Sequence, residues 1–269
     1  MTDRPALPRL APVRGGPHPP LIADPIVASF VFLVVVSLFF RAFPGVDLWF
    51  SGLFYDPASG FPVTRLGAFI GVRTFSDWLL RLTVLLLVLP LVVKLARPSR
   101  PMPVAPQKLV FLLSRLALGP GLVVNAILKE TWGRPRPRMV DLFGGDLPFV
   151  PAWQISDYCT SNCSFVSGEA STAVWFVGLA LVAPPAWRKT VAVAAITVAI
   201  VVSLNRVAFG AHFLSDVVVA WALTLFLIAV LYRFTIARPP PWLDNDILEE
   251  RWAGWGRRLH RVLAPRPKP

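Results

Sequence analysis

Asn205-Arg-Val-Ala-Phe-Gly-Ala-His-Phe-Leu-Ser-Asp216 is a short polar link between two uncharged apolar runs, Thr190–Leu204 and Val217–Tyr232. Two such runs, each close to the ~20 residues that a bilayer core asks for, read as neighbouring membrane helices. The link places one Arg, one His and one Asp where the chain enters or leaves the membrane. His212 lies four residues before Asp216, so a helix puts both on one side. A carboxylate in that position can hold the imidazole in one tautomer and make it a better base or nucleophile. Arg206 lies six residues before His212, and a turn brings its guanidinium beside the ring. An Arg next to a nucleophilic His suits attack on a phosphoryl group.

Composition extends this reading outward. Of the 269 residues 55% are hydrophobic and 16% charged, and the mean hydropathy is +0.61. A soluble domain carries roughly a quarter charged residues. The class is therefore an integral membrane protein, all-α. Long apolar runs exclude the weakly alternating strands of a β-barrel. The net charge of +12 does not point to nucleic acid, because the cations flank apolar runs and form no basic-aromatic surface module.

Six runs fit a six-helix polytopic bundle: Pro25–Phe43, Trp78–Val93, Leu109–Leu128, Ala170–Trp187, Thr190–Asn205 and Val217–Tyr232. Several are short, and terminal Lys and Arg can snorkel to make up the length. Gly119-Pro120-Gly121 is expected to kink the third. Arg115, inside that span but near its cytoplasmic end, reads as structural. Residues 1–24, rich in Pro, Gly and Arg, read as a disordered cytoplasmic tail. Residues 25–236 form the membrane domain. Residues 237–269 read as a basic cytoplasmic tail whose Trp and Arg residues suit an anionic membrane surface. Between the first two spans, residues 44–77 carry Trp49, Phe50, Phe54 and Tyr55 and read as a surface or re-entrant helix at the lipid headgroups.

With the N-terminus inside, seventeen Lys and Arg fall on the cytoplasmic side and nine on the other. The positive-inside bias thus puts both termini in the cytoplasm. That orientation brings three polar stretches to the outer face. Lys129-Glu-Thr-Trp-Gly-Arg-Pro-Arg136-Pro-Arg138 offers a compact ammonium and Pro-stiffened guanidinium forks, which suit a phosphate. Ser167-Gly168-Glu169 opens a helix and exposes backbone N–H groups, a natural anion site. The third stretch is the link that carries Arg206, His212 and Asp216. Cys159 and Cys163 share the outer loop. They are either free thiols or, in an oxidising compartment, a local disulfide.

Together the three stretches resemble the type-2 phosphatidic acid phosphatase superfamily, which also includes the vanadium haloperoxidases. Its signature is Lys-x6-Arg-Pro, then Pro-Ser-Gly-His, then Ser-Arg-x5-His-x3-Asp. Lys129 and Arg136-Pro137 match the first part, Ser167-Gly168 part of the second, and Arg206, His212 and Asp216 the third. The resemblance implies that His212 attacks phosphorus to give a phosphohistidine, oriented by Asp216. Lys129, Arg136, Arg206, Ser167 and the Gly168 N–H would stabilise the transferring group. It implies no metal and no cofactor. Asn205 replaces the family Ser. Val166 and Glu169 stand where the family has Pro and its second His, so Glu169 is either an unusual general acid or a residue that orients water or a cation.

The expected function is dephosphorylation of a membrane lipid at the periplasmic face of the inner membrane. A lipid A-type glycolipid comes first, then a polyprenyl diphosphate, then a phosphatidylglycerophosphate or phosphatidic acid. Partners are the lipid phosphate substrate and membrane lipids, with no nucleic acid. A lipid phosphotransferase using the same site, and a non-catalytic binder or transporter of anionic lipids, are the other readings. Polar residues clustered at one face, without an internal repeat, favour the enzyme.

Overall fold

A computed structural model describes residues 24–263 of the chain. All but the last residue of the expected disordered tail, residues 1–24, lies outside them, as do residues 264–269. The described chain is helical: α1 Pro25–Ala42, α2 Gly45–Gly52, α3 Gly67–Ala96, α4 Pro106–Thr131, α5 Gly168–Val182, α6 Pro185–Ala208, α7 Leu214–Ala237 and α8 Asn245–Leu263. Helices α1, α3, α4, α6 and α7 are long and apolar enough to cross a membrane. Their outward faces carry Phe30, Val35, Leu38, Leu82, Leu85 and Leu86, all exposed. Apolar residues turned outward along whole helices are a surface made for lipid, and helices satisfy their backbone polar groups internally. This is a multi-pass membrane protein.

The six-span expectation holds for five runs. The fourth, expected as Ala170–Trp187, is α5, an eight-residue piece and a six-residue piece that meet at Phe176. At ~1.5 Å per residue it is only about 22 Å long, against a hydrocarbon core of ~30 Å. It occupies the middle of the bundle, where Ala170, Ala173, Val174 and Trp175 are buried against α4, α6 and α7. Gly168, Ala170, Ser171 and Ala173 keep its first turns slim, so neighbouring backbones approach closely. A helix wrapped by protein need not match the lipid thickness. The second span is longer than expected: α3 begins at Gly67, eleven residues before Trp78.

Asp24 caps α1 by accepting from the Ile26 N–H at 2.9 Å, and it pairs with Arg233 at 2.6 Å at the far end of α7. These helices lie side by side. In α4 the Gly119-Pro120-Gly121 break is accommodated by a wider π-helical winding over Ala117–Leu128. Asn125 Nδ2 donates to the Pro120 carbonyl at 2.7 Å, satisfying an acceptor that the irregular winding frees. Arg115 is buried near the opposite end of the bundle from His212. Its Nη2 donates to the Trp175 carbonyl at 3.2 Å and its guanidinium lies 4.3 Å from the centre of the Phe111 ring.

The C-terminal segment is more than a tail. Helix α8 docks on the corner between α3 and α4. Glu249 accepts from Lys94 Nζ at 2.7 Å and from the Met102 N–H at 3.1 Å, and Asn245 bonds Gln107. Gly256 sits so close to Leu95 and Pro98 that any Cβ would collide. Helix α2 also departs from the surface-helix reading. Trp49 and Leu53 face outward, but Asp47 and Ser51 are fully buried against the bundle.

Candidate active site

The site lies at one end of the bundle, where α4 and α6 finish and α5 and α7 begin. The chain between α4 and α5 folds across that end. Lys129, Arg136, Ser167, Gly168, Glu169, Arg206, His212 and Asp216, separated by up to 87 positions, all converge there. Seven of them border a helix end on that side, and the extended segment after α4 carries Arg136 to it.

His212 sits in the turn between α6 and α7 and is 1% exposed. Its Nδ1 lies 2.8 Å from the Ser164 carbonyl oxygen. A carbonyl only accepts, so Nδ1 carries the proton and Nε2 keeps its lone pair. Burial, helped by nearby Lys129 and Arg206 and opposed by Asp216, pulls the imidazole pKa down to about 4. The ring is therefore neutral near pH 7.

Direct orientation of His212 by Asp216, as expected from the spacing, gives way to a relay. The nearer Asp216 oxygen is 3.8 Å from Nδ1, beyond hydrogen-bond reach. That Oδ2 instead accepts from Ser164 Oγ at 2.5 Å and from the Phe213 N–H at 2.8 Å. Asp216 thus holds the residue whose carbonyl grips the imidazole and the residue that follows it, and it keeps a negative charge close to the ring.

The sequence reading missed the group behind Asp216. Arg134 is wholly buried. Its Nη1 donates to Asp216 Oδ1 at 2.6 Å and to Ser215 Oγ at 2.8 Å, its Nη2 to Asp47 Oδ2 at 2.8 Å, and its Nε to the Val150 carbonyl at 2.7 Å. The guanidinium also stacks on Phe213, 4.4 Å from the ring centre. Asp47 closes the network by accepting from the Ser215 N–H at 2.8 Å and from Ser215 Oγ at 2.5 Å. Burial works against the Arg134 charge, but Asp216 and Asp47 outweigh it and hold its pKa above the ordinary Arg value. Burial pushes the Asp47 carboxyl up, and Arg134 opposes that shift. Arg134 and Arg136 part company because the Arg-Pro-Arg-Pro backbone is extended at Arg136, and a polyproline-like chain turns side chains two apart in different directions.

Arg136 faces the site mouth and donates to the Asn162 carbonyl at 2.7 Å and to its Oδ1 at 2.8 Å. Lys129 Nζ reaches the same Oδ1 at 3.4 Å. A Cys159–Cys163 disulfide ties the loop that presents Asn162. Ser167 caps α5, its Oγ accepting from the Ala170 N–H at 3.3 Å. The N–H groups of Gly168 and Glu169 remain in the first turn, where a helix attracts anions. A Cβ at Gly168 would strike Asn125 Oδ1 and crowd Lys129 Nζ, so only glycine leaves room here. Arg206 is buried, and its Nη1 has no hydrogen-bond partner within the described residues. Its Nε lies 2.9 Å from Glu169 Oε2, while Arg73 on α3 approaches the other Glu169 oxygen at 3.6 Å. Glu169 is thus a carboxylate between two guanidiniums. Beside it a cleft of about 150 Å³ opens between α3, α4 and α5.

A lipid-facing helical bundle with a neutral imidazole, three cations and a helix N-terminus gathered at one end is the framework of a membrane protein that handles anionic groups. The sequence profile of the PAP2 superfamily matches residues 108–240. The lipid A 4'-phosphatase of Rhizobium leguminosarum is 40% identical over 209 residues, covering 73% of this chain and 90% of that protein. The lipid A 4'-phosphatase of Francisella tularensis subsp. novicida is 33% identical over 222 residues, covering 77% and 96%. The chain belongs to the PAP2 superfamily. A crystal structure of a transmembrane PAP2-type phosphatidylglycerolphosphate phosphatase from Bacillus subtilis shares the fold, with a TM-score of 0.53 and 22% identity over 81% of this chain and 98% of that one.

Proposed function

We propose that the protein is a lipid A 4'-phosphatase, removing phosphate from a lipid A-type glycolipid at the periplasmic face of the inner membrane, with both termini in the cytoplasm. The name carried by its relatives supports the substrate. The charge asymmetry of the connecting segments supports the orientation, and a bridged Cys159–Cys163 pair in the loop at the site end suits an oxidising compartment. On this reading the central α5 counts as the sixth, protein-enclosed pass of the membrane domain 25–236.

One observation carries the chemistry: Nδ1 of a buried, neutral His212 is committed to a carbonyl, which leaves Nε2 as a nucleophile. Nε2 attacks phosphorus, an N–P bond forms, and the bond between phosphorus and the sugar oxygen breaks. Lys129, Arg136, Arg206 and the first N–H groups of α5 take up the charge of the transferring phosphoryl group. The imidazole becomes cationic, and the Asp216 charge nearby stabilises it. Water then cleaves the N–P bond, releasing phosphate and restoring neutral His212.

The 4'-oxygen of a sugar is an ordinary secondary alkoxide as a leaving group and needs a proton. Glu169, beside the cradle and held by Arg206 at 2.9 Å, is the group we assign to that transfer. It either donates the proton itself and recovers it from the hydrolytic water, or fixes the water that does so while its charge holds Arg206 and Arg73. The Glu169→Gln variant separates the two. A lost basic limb in the pH–rate profile, with lower kcat, marks the acid; an unchanged profile rules it out. The proposal as a whole is tested by phosphate release from lipid A by purified protein in detergent, without added metal.

A further inference from the structure

Three polar side chains stand beside the cradle. Asp77 and Asn125 are exposed and Thr172 is half-buried, and Asn125 spends its Nδ2 on the Pro120 carbonyl, which leaves its Oδ1 for a ligand. All three line the cleft beside Gly168 and Glu169. Asp77 comes from α3, Asn125 from α4 and Thr172 from α5. Three helices therefore present acceptor oxygens to one space.

The cleft is graded along its length. Helices α3 and α5 both run away from the site end. At the near end are Lys129 and Glu169; one turn further are Asp77 and Thr172; another turn on, the wall becomes Leu80 and Phe176. A ligand that fits this order has an anionic group first, then a block rich in O–H and N–H donors, then a hydrocarbon chain. A phosphorylated amino sugar carrying acyl chains has that order. A polyprenyl diphosphate does not, since its second anionic group would meet the Asp77 carboxylate, and like charges repel. A phosphatidic acid offers few donors to these three acceptors.

We infer that the cleft between α3, α4 and α5 is a sugar-binding subsite, in which Asp77, Thr172 and Asn125 Oδ1 accept hydrogen bonds from the hydroxyl and amide groups of the glycolipid headgroup. The inference rests on the lipid A reading and deepens it: these residues select a phosphorylated sugar over a diphosphate or a glycerol phosphate.

The test compares wild type with Asp77→Asn, Thr172→Val and Thr172→Ser. The substrates are lipid A, undecaprenyl diphosphate and p-nitrophenyl phosphate, a soluble monoester without the sugar's hydroxyl and amide donors. Loss of one hydrogen bond to a ligand, charged in the case of Asp77, lowers kcat/KM on lipid A by about tenfold, mainly through KM. Turnover of p-nitrophenyl phosphate stays within twofold of wild type, Thr172→Ser recovers most of the loss, and Asp77→Asn raises the relative rate on the diphosphate. Equal losses on lipid A and p-nitrophenyl phosphate would reduce the cleft to a structural element. Unchanged kcat/KM on lipid A in both variants would remove the subsite while leaving the phosphatase reading intact. A wild type that cleaves the diphosphate but not lipid A would overturn the lipid A reading, and the subsite with it.

Discussion

Replacing Asp47 by Ala attacks the site from a helix that touches no substrate. The side chain is fully buried, pairs with Arg134 at 2.8 Å and accepts two hydrogen bonds from Ser215. Its removal leaves Arg134 with Asp216 as its only carboxylate and strips the Ser215 N–H of its acceptor. Breaking a buried pair from one side costs about 3–5 kcal/mol, and the orphaned N–H overlaps with that figure because the groups form one network. For a protein of this size, ~2–4 °C per kcal/mol gives a drop in Tm of about 10 °C. Asp47→Asn keeps an acceptor for Ser215 and loses only the charge, so it falls between the Ala variant and wild type. Arg134 then leans wholly on Asp216, which carries Ser164 and hence the grip on His212. The expected kinetic signature is a lower kcat with little change in KM, since Asp47 lies outside the anion cradle. The assay is thermal unfolding in detergent beside steady-state phosphate release. An Asp47→Ala protein that melts within 2 °C of wild type and keeps its kcat would refute the network and return α2 to a headgroup-level surface helix.

Protonation of His212 links pH to stability. Its pKa is about 4 in the fold against an ordinary 6.5, so the unfolded chain takes the proton first as pH falls. Stability is complete above pH 6.5 and declines towards pH 4 by about 3 kcal/mol at ~1.4 kcal/mol per pH unit; denaturant titrations at several pH values should show this slope in wild type and not in His212→Gln. The acid limb of kcat/KM should likewise fall near pH 4. Gly168→Ala brings a methyl against Asn125 and Lys129, and it should cut kcat/KM on every phosphate substrate by at least about tenfold, measured on lipid A and p-nitrophenyl phosphate alike. Paired Cys159→Ser and Cys163→Ser changes release the Asn162 loop and should cost about 2 kcal/mol, with a raised KM as the functional trace, since Asn162 positions Lys129 and Arg136.

The bundle and most of the cradle are legible in the sequence for a physical reason. Apolar runs report transfer out of water, and charge asymmetry reports orientation, so the helix ends that meet on one face can be found before any contact is known. Lys129, Gly168, Arg206 and His212 each border such an end. Asp47 was hidden because its partner Arg134 lies 87 residues away, and an acid among aromatic residues looks like an interfacial helix. Arg134 was hidden among neighbouring cations, since composition does not say which side chain of an Arg-Pro repeat turns inward. Ser164 acts through its carbonyl, a group that every residue carries. The shortness of α5 was hidden because hydropathy registers burial from water and does not distinguish lipid from a protein surround. The start of α3 was masked by Arg73, Asp77 and Arg81, charges that sit at the site end of a helix 30 residues long.

The most direct test of the account is rapid acid-free quenching of the protein during turnover of lipid A, followed by peptide mass spectrometry. The account predicts a phosphoryl group on His212, stable to base and labile to acid, that forms and decays at rates consistent with kcat and is absent from an inactive His212→Ala protein. A phosphoryl group on another residue, or phosphate release that persists in His212→Ala, would contradict it.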